Sequence, residues 1–85
     1  MSNMPNSMGS RKQNEKKFDS WVALPREGRR YRLEIPGKSG WKAVYLKEVD
    51  SSENTIRFWR EIRDEKDALK AVHEKFPLDT GHRKV

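Results

Sequence analysis

The sequence predicts a small α+β domain. It consists of an antiparallel β-meander of about three strands, at residues 29–35, 41–49 and 55–63, followed by a C-terminal helix at residues 65–76. Apolar and polar residues alternate in the strand segments, most clearly in RRYRLEI, and a period of two is typical of a half-buried strand. The polar stretches PGKSG and DSSEN join the segments, and such short connections favour antiparallel neighbours.

Before the first strand, residues 1–17 have methionine as their only apolar residue type. Such a segment buries too little apolar surface to offset the entropy that it would lose on ordering. We therefore expect a disordered basic arm at residues 1–17, a single small domain at residues 18–78 and a polar C-terminal tail at residues 79–85.

The register of the strands can be predicted by asking which pairing unites their apolar faces. Placing Ile35 opposite Trp41, and Val49 opposite Ile56, achieves this. We expect the united face to be the core, with the residues Tyr31, Leu33, Ile35, Trp41, Ala43, Tyr45, Val49, Ile56, Phe58 and Ile62. The other face then carries basic side chains around a few apolar ones, namely Arg32, Lys42, Arg57 and Arg63 around Val44, Leu46 and Trp59.

Residues 64–76, DEKDALKAVHEKF, fit two interpretations. Leu69, Val72 and Phe76 recur at helical spacing, Asp64 is a suitable N-cap residue, and Pro77 would end the helix. As a strand, the same segment would follow a hairpin turn at residues 64–67. We favour the helix, and the alternative is an all-β meander of four strands.

The net charge of +6 lies in the first half of the chain. Residues 1–17 carry four basic and one acidic side chains, residues 18–49 carry seven and four, and residues 50–85 carry eight of each. Such asymmetry favours a polyanionic partner, and aromatic side chains among cations on a sheet are typical of single-strand binders. We therefore predict a nucleic-acid-binding face made of Arg29, Arg30, Arg32, Lys42, Arg57, Trp59 and Arg63.

Two short motifs resemble sites of chemistry but lack essential parts. GKS at residues 37–39 has neither the earlier glycine nor the following helix of a phosphate-binding loop. At His73 the HExxH pattern of zinc hydrolases fails at its last position, and His82 lies beyond Pro77 and Gly81. We expect residues 73–85 to be a helix end and a polar tail, with no catalytic residue, no metal site and no cofactor.

The predicted function is non-catalytic binding of single-stranded RNA or DNA. The alternative is a protein–protein interaction module or a regulatory, antitoxin-like module. The third hypothesis is a small ribonuclease, because His73, Glu74, His82 and Arg83 supply groups that move protons and bind phosphate. The chain has no cysteine and no apolar run of membrane-spanning length, so we expect a soluble cytoplasmic protein without a membrane partner.

Overall fold

The computed structural model describes residues 7–84, which form a helix packed on one antiparallel sheet of six strands. Each strand pairs with its neighbours in the sequence, so the sheet is an up-and-down meander. None of the helical segments in residues 7–84 combines the length and the apolarity that crossing a membrane requires. The elements are α1 (Ser7–Lys17), β1 (Ser20–Ala23), β2 (Arg29–Pro36), β3 (Lys42–Val49), β4 (Thr55–Arg63), β5 (Leu69–Phe76) and β6 (Gly81–Lys84).

The predicted C-terminal helix is wrong, because the corresponding segment is β5 and the α-helix of the described residues lies before the sheet. The Asp64 carboxylate accepts backbone hydrogen bonds from Lys66 and Ala68, each 2.9 Å long, and thereby closes a tight turn after β4. β5 then satisfies its backbone groups by pairing with β4. Its apolar residues lie on both faces, Ala71 on one and Val72 on the other, and this two-sided pattern imitates helical spacing.

The four-stranded all-β alternative is also incomplete, because it lacks α1, β1 and β6. β1 and β6 are edge strands of four residues each, and most of their side chains are exposed. Backbone pairing with β2 and β5 holds these two strands in the sheet, and no alternation of apolar and polar residues marks them in the sequence. β6 occupies most of the stretch predicted to be a polar tail.

The stretch predicted to be a disordered arm contains α1, and residues 1–6 lie outside the described residues. The sequence of α1 is strongly polar, so an apolar face does not explain its position. Apolar packing begins just after the helix, where Phe18 is buried against Tyr31 with the ring centroids 5.6 Å apart.

The predicted alternation of faces is confirmed, whereas the predicted register between β2 and β3 is wrong by two residues. Ile35 lies opposite Ala43 instead of Trp41, because the Gly37 amide donates to the Trp41 carbonyl, 2.7 Å away, and places Trp41 in the turn. A shift of two residues preserves the face of every side chain. Between β3 and β4 the predicted pairing holds from residue 43 to residue 48, and a bulge then moves Val49 opposite Thr55.

The sheet has two apolar clusters, one on each face. On the face that α1 covers, the helix-side face, Phe18, Tyr31 and Val49 are buried and are joined by half-buried Leu33, Tyr45 and Phe58. The other face, the opposite face, buries Val44, Leu46 and Trp59 beside Val72. The single core predicted on the first face is thus wrong in part, since Ile35, Trp41 and Ile56 are 45%, 40% and 53% exposed.

A buried carboxylate attaches α1 to the sheet. Glu53 lies in the turn between β3 and β4, and its side chain is fully buried. It accepts hydrogen bonds from Tyr31 Oη at 2.7 Å, from Asn14 Nδ2 at 2.9 Å and from Arg11 Nε at 2.9 Å. Burial raises the pKa of Glu53, but the hydrogen bonds from Tyr31, Asn14 and Arg11 outweigh it and hold the pKa below its usual value.

Replacing this carboxylate should loosen the helix. Glu53→Gln keeps the shape of the side chain but removes the charge that its three donors share. We expect a loss of about 1.5–3 kcal/mol in the free energy of unfolding, because hydrogen bonds to a buried charge contribute in this range. Chemical denaturation measures the loss, and the control Glu65→Gln, at an exposed position, should change stability little. Equal stability of the two variants would contradict this role of Glu53.

The Glu53 contribution should also depend on pH. Because folding lowers the pKa of this group, the stabilisation is fully present above the unfolded pKa of about 4.5 and is lost as the pH falls through the lower folded value. The difference in melting temperature between the wild-type protein and Glu53→Gln should therefore shrink below about pH 4.5. A difference that stays constant down to about pH 3 would mean that the carboxylate does not stabilise the fold through its charge.

Candidate nucleic-acid interface

The structure brings most of the predicted binding residues to the opposite face. Arg30, Arg32, Arg63 and Trp59 line a shallow groove of about 350 Å³ whose floor includes Val44 and Leu46. Lys42 and Arg57 lie on the same face, whereas Arg29 lies on the helix-side face. Arg29 is held there by Glu15, 2.7 Å away, and its guanidinium stacks over the Trp21 ring at 3.6 Å.

Five cations of the opposite face are paired with carboxylates. Two of the pairs join neighbouring strands, two lie within one strand, and one uses Asp67 in the turn between β4 and β5. The pairs, with their N–O distances, are Arg30–Glu48 at 2.7 Å, Arg32–Glu34 at 3.1 Å, Lys42–Asp67 at 3.2 Å, Arg57–Glu74 at 2.9 Å and Arg63–Glu61 at 2.9 Å. Because a carboxylate neutralises each of these five cations, they offer little net charge to a phosphate backbone.

Trp59 belongs to the core of the opposite face. Its side chain is covered by the Arg57 guanidinium, which lies 3.7 Å from the ring centroid, and its Nε1–H donates to Glu61 at 3.0 Å. Trp59 is only 5% exposed, so no base can stack on it without displacing Arg57. The structure therefore places Trp59 in the core and not on an exposed stacking surface, as the predicted nucleic-acid-binding face would require.

The helix-side face carries a half-buried aromatic pair that packs against the Phe18, Tyr31 and Val49 cluster. The rings of Tyr45 and Phe58 are stacked, with centroids 6.3 Å apart and planes inclined by 26°. Lys75 Nζ lies over both rings, at 5.8 and 5.9 Å. Two hollows of about 160 and 260 Å³ border Phe58, and both reach Lys17 and Phe18 at the end of α1. We call Tyr45 and Phe58 the aromatic platform.

Four cations surround the aromatic platform, and none of them has a carboxylate partner within residues 7–84. They are Lys17, Lys47, Arg60 and Lys75. Burial lowers the pKa of Lys47, and the positive charge of Lys17 lowers it further, although Glu53 acts in the other direction.

A polar row extends from the platform to the edge of the sheet. Arg60 lies opposite Tyr45 on one side and opposite His73 on the other, and His73 lies opposite His82. His73 Nε2 contacts Asp79 Oδ1 at 2.7 Å, and an Arg60 guanidinium nitrogen contacts His82 Nδ1 at 3.4 Å. The backbone amide of Gly81, and then the contact with His73, lower the pKa of Asp79. Sequence reasoning missed this row because it treats residues 64–76 as a helix.

The other groups of the predicted ribonuclease set lie elsewhere. Glu74 is hydrogen-bonded to Arg57 on the opposite face, and Arg83 lies across from Val72 on that same face. His73 and His82 therefore share a face with Arg60, not with Glu74 or Arg83. Within residues 7–84, no three His, Asp or Glu side chains form a group that could hold a metal ion.

Comparison with protein-family models, with curated proteins and with solved structures finds no match to this chain. Evidence for a function therefore comes from the chain's own residues. They form two candidate surfaces, the ion-paired groove on the opposite face and the aromatic platform, with its four cations, on the helix-side face.

Because Trp59 is buried, its replacement should destabilise the fold. Trp59→Ala should lower the free energy of unfolding by about 3–5 kcal/mol, because it removes a buried ring and leaves a cavity. Thermal and chemical denaturation measure this loss, with Trp41→Ala as the control, since Trp41 is 40% exposed and should contribute less. If both variants kept nearly full stability, Trp59 would not be part of the core.

Proposed function

We propose that this protein binds single-stranded nucleic acid through the helix-side face. Bases stack on the aromatic platform, Tyr45 and Phe58, while nearby cations contact the phosphates. The observation that carries the proposal is the set of four cations without carboxylate partners around a half-buried aromatic pair that borders two hollows. Stacking supplies affinity without base specificity, and the cations supply salt-dependent attraction.

The form of the platform favours a single strand over a duplex. Stacking requires the face of a base, and within a duplex those faces are already covered by neighbouring bases. The platform lies on a sheet surface, beside hollows that reach Lys17 and Lys47. Extended single strands commonly lie across such a surface, with the backbone following a line of positive charge.

The proposal keeps the partner class predicted from the sequence and moves the interface to the other face. Arg30, Arg32 and Arg63 line a groove, but each has a carboxylate within 3.1 Å. A phosphate that approached them would have to displace or repel those carboxylates. The four cations around the aromatic platform have no such competitor among the described residues.

Two variants on opposite faces test this assignment. Lys75→Gln and Arg32→Gln each remove one positive charge, one beside the platform and one in the groove. Binding of a short fluorescent single-stranded oligonucleotide is measured by anisotropy over a range of salt concentrations. In a plot of log affinity against log salt concentration, the magnitude of the slope should fall by about 0.7 for Lys75→Gln and should be unchanged for Arg32→Gln. The reverse result would place the interface on the opposite face, at the residues predicted from the sequence.

Phe58→Leu tests the stacking. Leucine retains apolar bulk at this half-buried position but removes the aromatic ring, so the fold should persist, as circular dichroism can verify. Affinity should fall by about 1–3 kcal/mol, the usual contribution of one stacked base. If no oligonucleotide bound even at low salt, the proposal would be rejected, and the alternative of a protein partner would take its place.

A further inference from the structure

The polar row beside the platform joins two histidines, an arginine and an aspartate. Arg60, His73 and His82 occupy directly opposed positions on β4, β5 and β6, and side chains at such positions have Cβ atoms about 4.5–5.5 Å apart. His73 is half-buried, with 19% of its side chain exposed, and it is oriented by Asp79 in the turn between β5 and β6. Three strands and one turn thus present these groups together on the helix-side face.

The hydrogen-bond partners of His73 and His82 indicate which ring nitrogens carry a proton, and they give the two rings different roles. Asp79 is a carboxylate, so it accepts a hydrogen bond from Nε2–H of His73, and His73 Nδ1 remains available. Arginine can only donate, so His82 Nδ1 is an acceptor and carries a lone pair. The contact between Arg60 and His82 is long, at 3.4 Å, and a phosphate would compete for the guanidinium with a shorter, charge-assisted bond.

We propose that this row is a metal-independent ribonuclease site that cleaves single-stranded RNA, an inference that rests on the binding proposed above. His82 Nδ1 takes the proton of a ribose 2′-hydroxyl, and the 2′-oxygen attacks the adjacent phosphorus. The bond from phosphorus to the 5′-oxygen breaks, and that oxygen takes a proton from Nδ1–H of the His73 imidazolium. The products are a 2′,3′-cyclic phosphate and a free 5′-hydroxyl. His82 then releases a proton to solvent and His73 takes one up, so both rings return to their starting states.

Arg60 has the position that the phosphate requires. A terminal nitrogen of its guanidinium makes the long, exposed contact with His82, whereas its Nε is buried without a hydrogen-bond partner among the described residues. Negative charge grows on the phosphoryl oxygens as the 2′-oxygen adds, and a guanidinium aimed at them lowers that barrier. Because Arg60 lies opposite Tyr45, a base stacked on the platform brings its own phosphodiester toward the row.

The experiment uses the full chain, a short single-stranded RNA with a 5′ label, and EDTA to exclude metal-dependent cleavage. We expect cleavage to a product that ends in a 2′,3′-cyclic phosphate, and no cleavage of the same oligonucleotide with 2′-deoxyribose. His73→Asn and His82→Asn should each reduce the rate at least about 100-fold, since acid–base groups contribute about 10²–10⁴-fold. Arg83→Gln, the neighbour of His82 on the other side of β6, is the matched control and should cleave at the wild-type rate.

Binding is measured separately, with RNA of the same sequence carrying 2′-O-methyl groups, which has no nucleophile to cleave. Binding of this RNA without cleavage of the unmodified RNA would overturn the ribonuclease inference and leave the proposed binding function intact. Cleavage that survives equally in both histidine variants would also overturn it, because the activity would then come from elsewhere. Absence of binding would overturn both proposals.

Discussion

The position of α1 depends on one buried carboxylate. Ionised Glu53 has lost its hydration, and such burial costs several kcal/mol unless hydrogen bonds replace the water. Tyr31, Asn14 and Arg11 supply those bonds from β2 and from α1. Because these donors lie on one side of the sheet, they bring the helix over β2 and cover Tyr31 and Val49 with Phe18. The same attachment leaves the rest of the helix-side face without a cover.

The two faces differ in how their cations and rings are covered. On the opposite face, cross-strand and same-strand glutamates neutralise Arg30, Arg32, Arg57 and Arg63, and a stacked guanidinium covers Trp59. Exposed ion pairs of this kind contribute about 0–1 kcal/mol each, so their main effect is to cancel charge. On the helix-side face the aromatic pair is half-buried, and the four cations around it have no carboxylate partner among the described residues. Unpaired positive charge is thus concentrated around the aromatic platform on one face of the sheet.

The sequence predicted local features of the fold better than features that depend on distant residues. Alternation at Tyr31, Leu33 and Ile35 correctly assigned the faces, because a period of two is set within one strand. The register with β3 depends on the geometry of the turn at Gly37 and could not be read from apolarity. α1 has no apolar stripe, and its anchor Glu53 lies 39 residues after Asn14, so no local pattern revealed it. The predicted binding residues are Trp59 and basic side chains of the strands. The sequence pattern does not reveal the carboxylates that strand pairing places next to most of these side chains.

The polar row lies beside Tyr45 of the aromatic platform, so the two proposals place base stacking and cleavage within a short distance of each other. Tyr45, Arg60, His73 and His82 stand at matched positions on four adjacent strands, so the row spans roughly 14 Å at the usual strand spacing. A single strand with one base on Tyr45 therefore reaches both histidines within a few nucleotides. The stacking and phosphate contacts proposed above are independent of base sequence. The two proposals therefore predict recognition of an unpaired RNA backbone over recognition of a particular sequence, and both of them use Arg60.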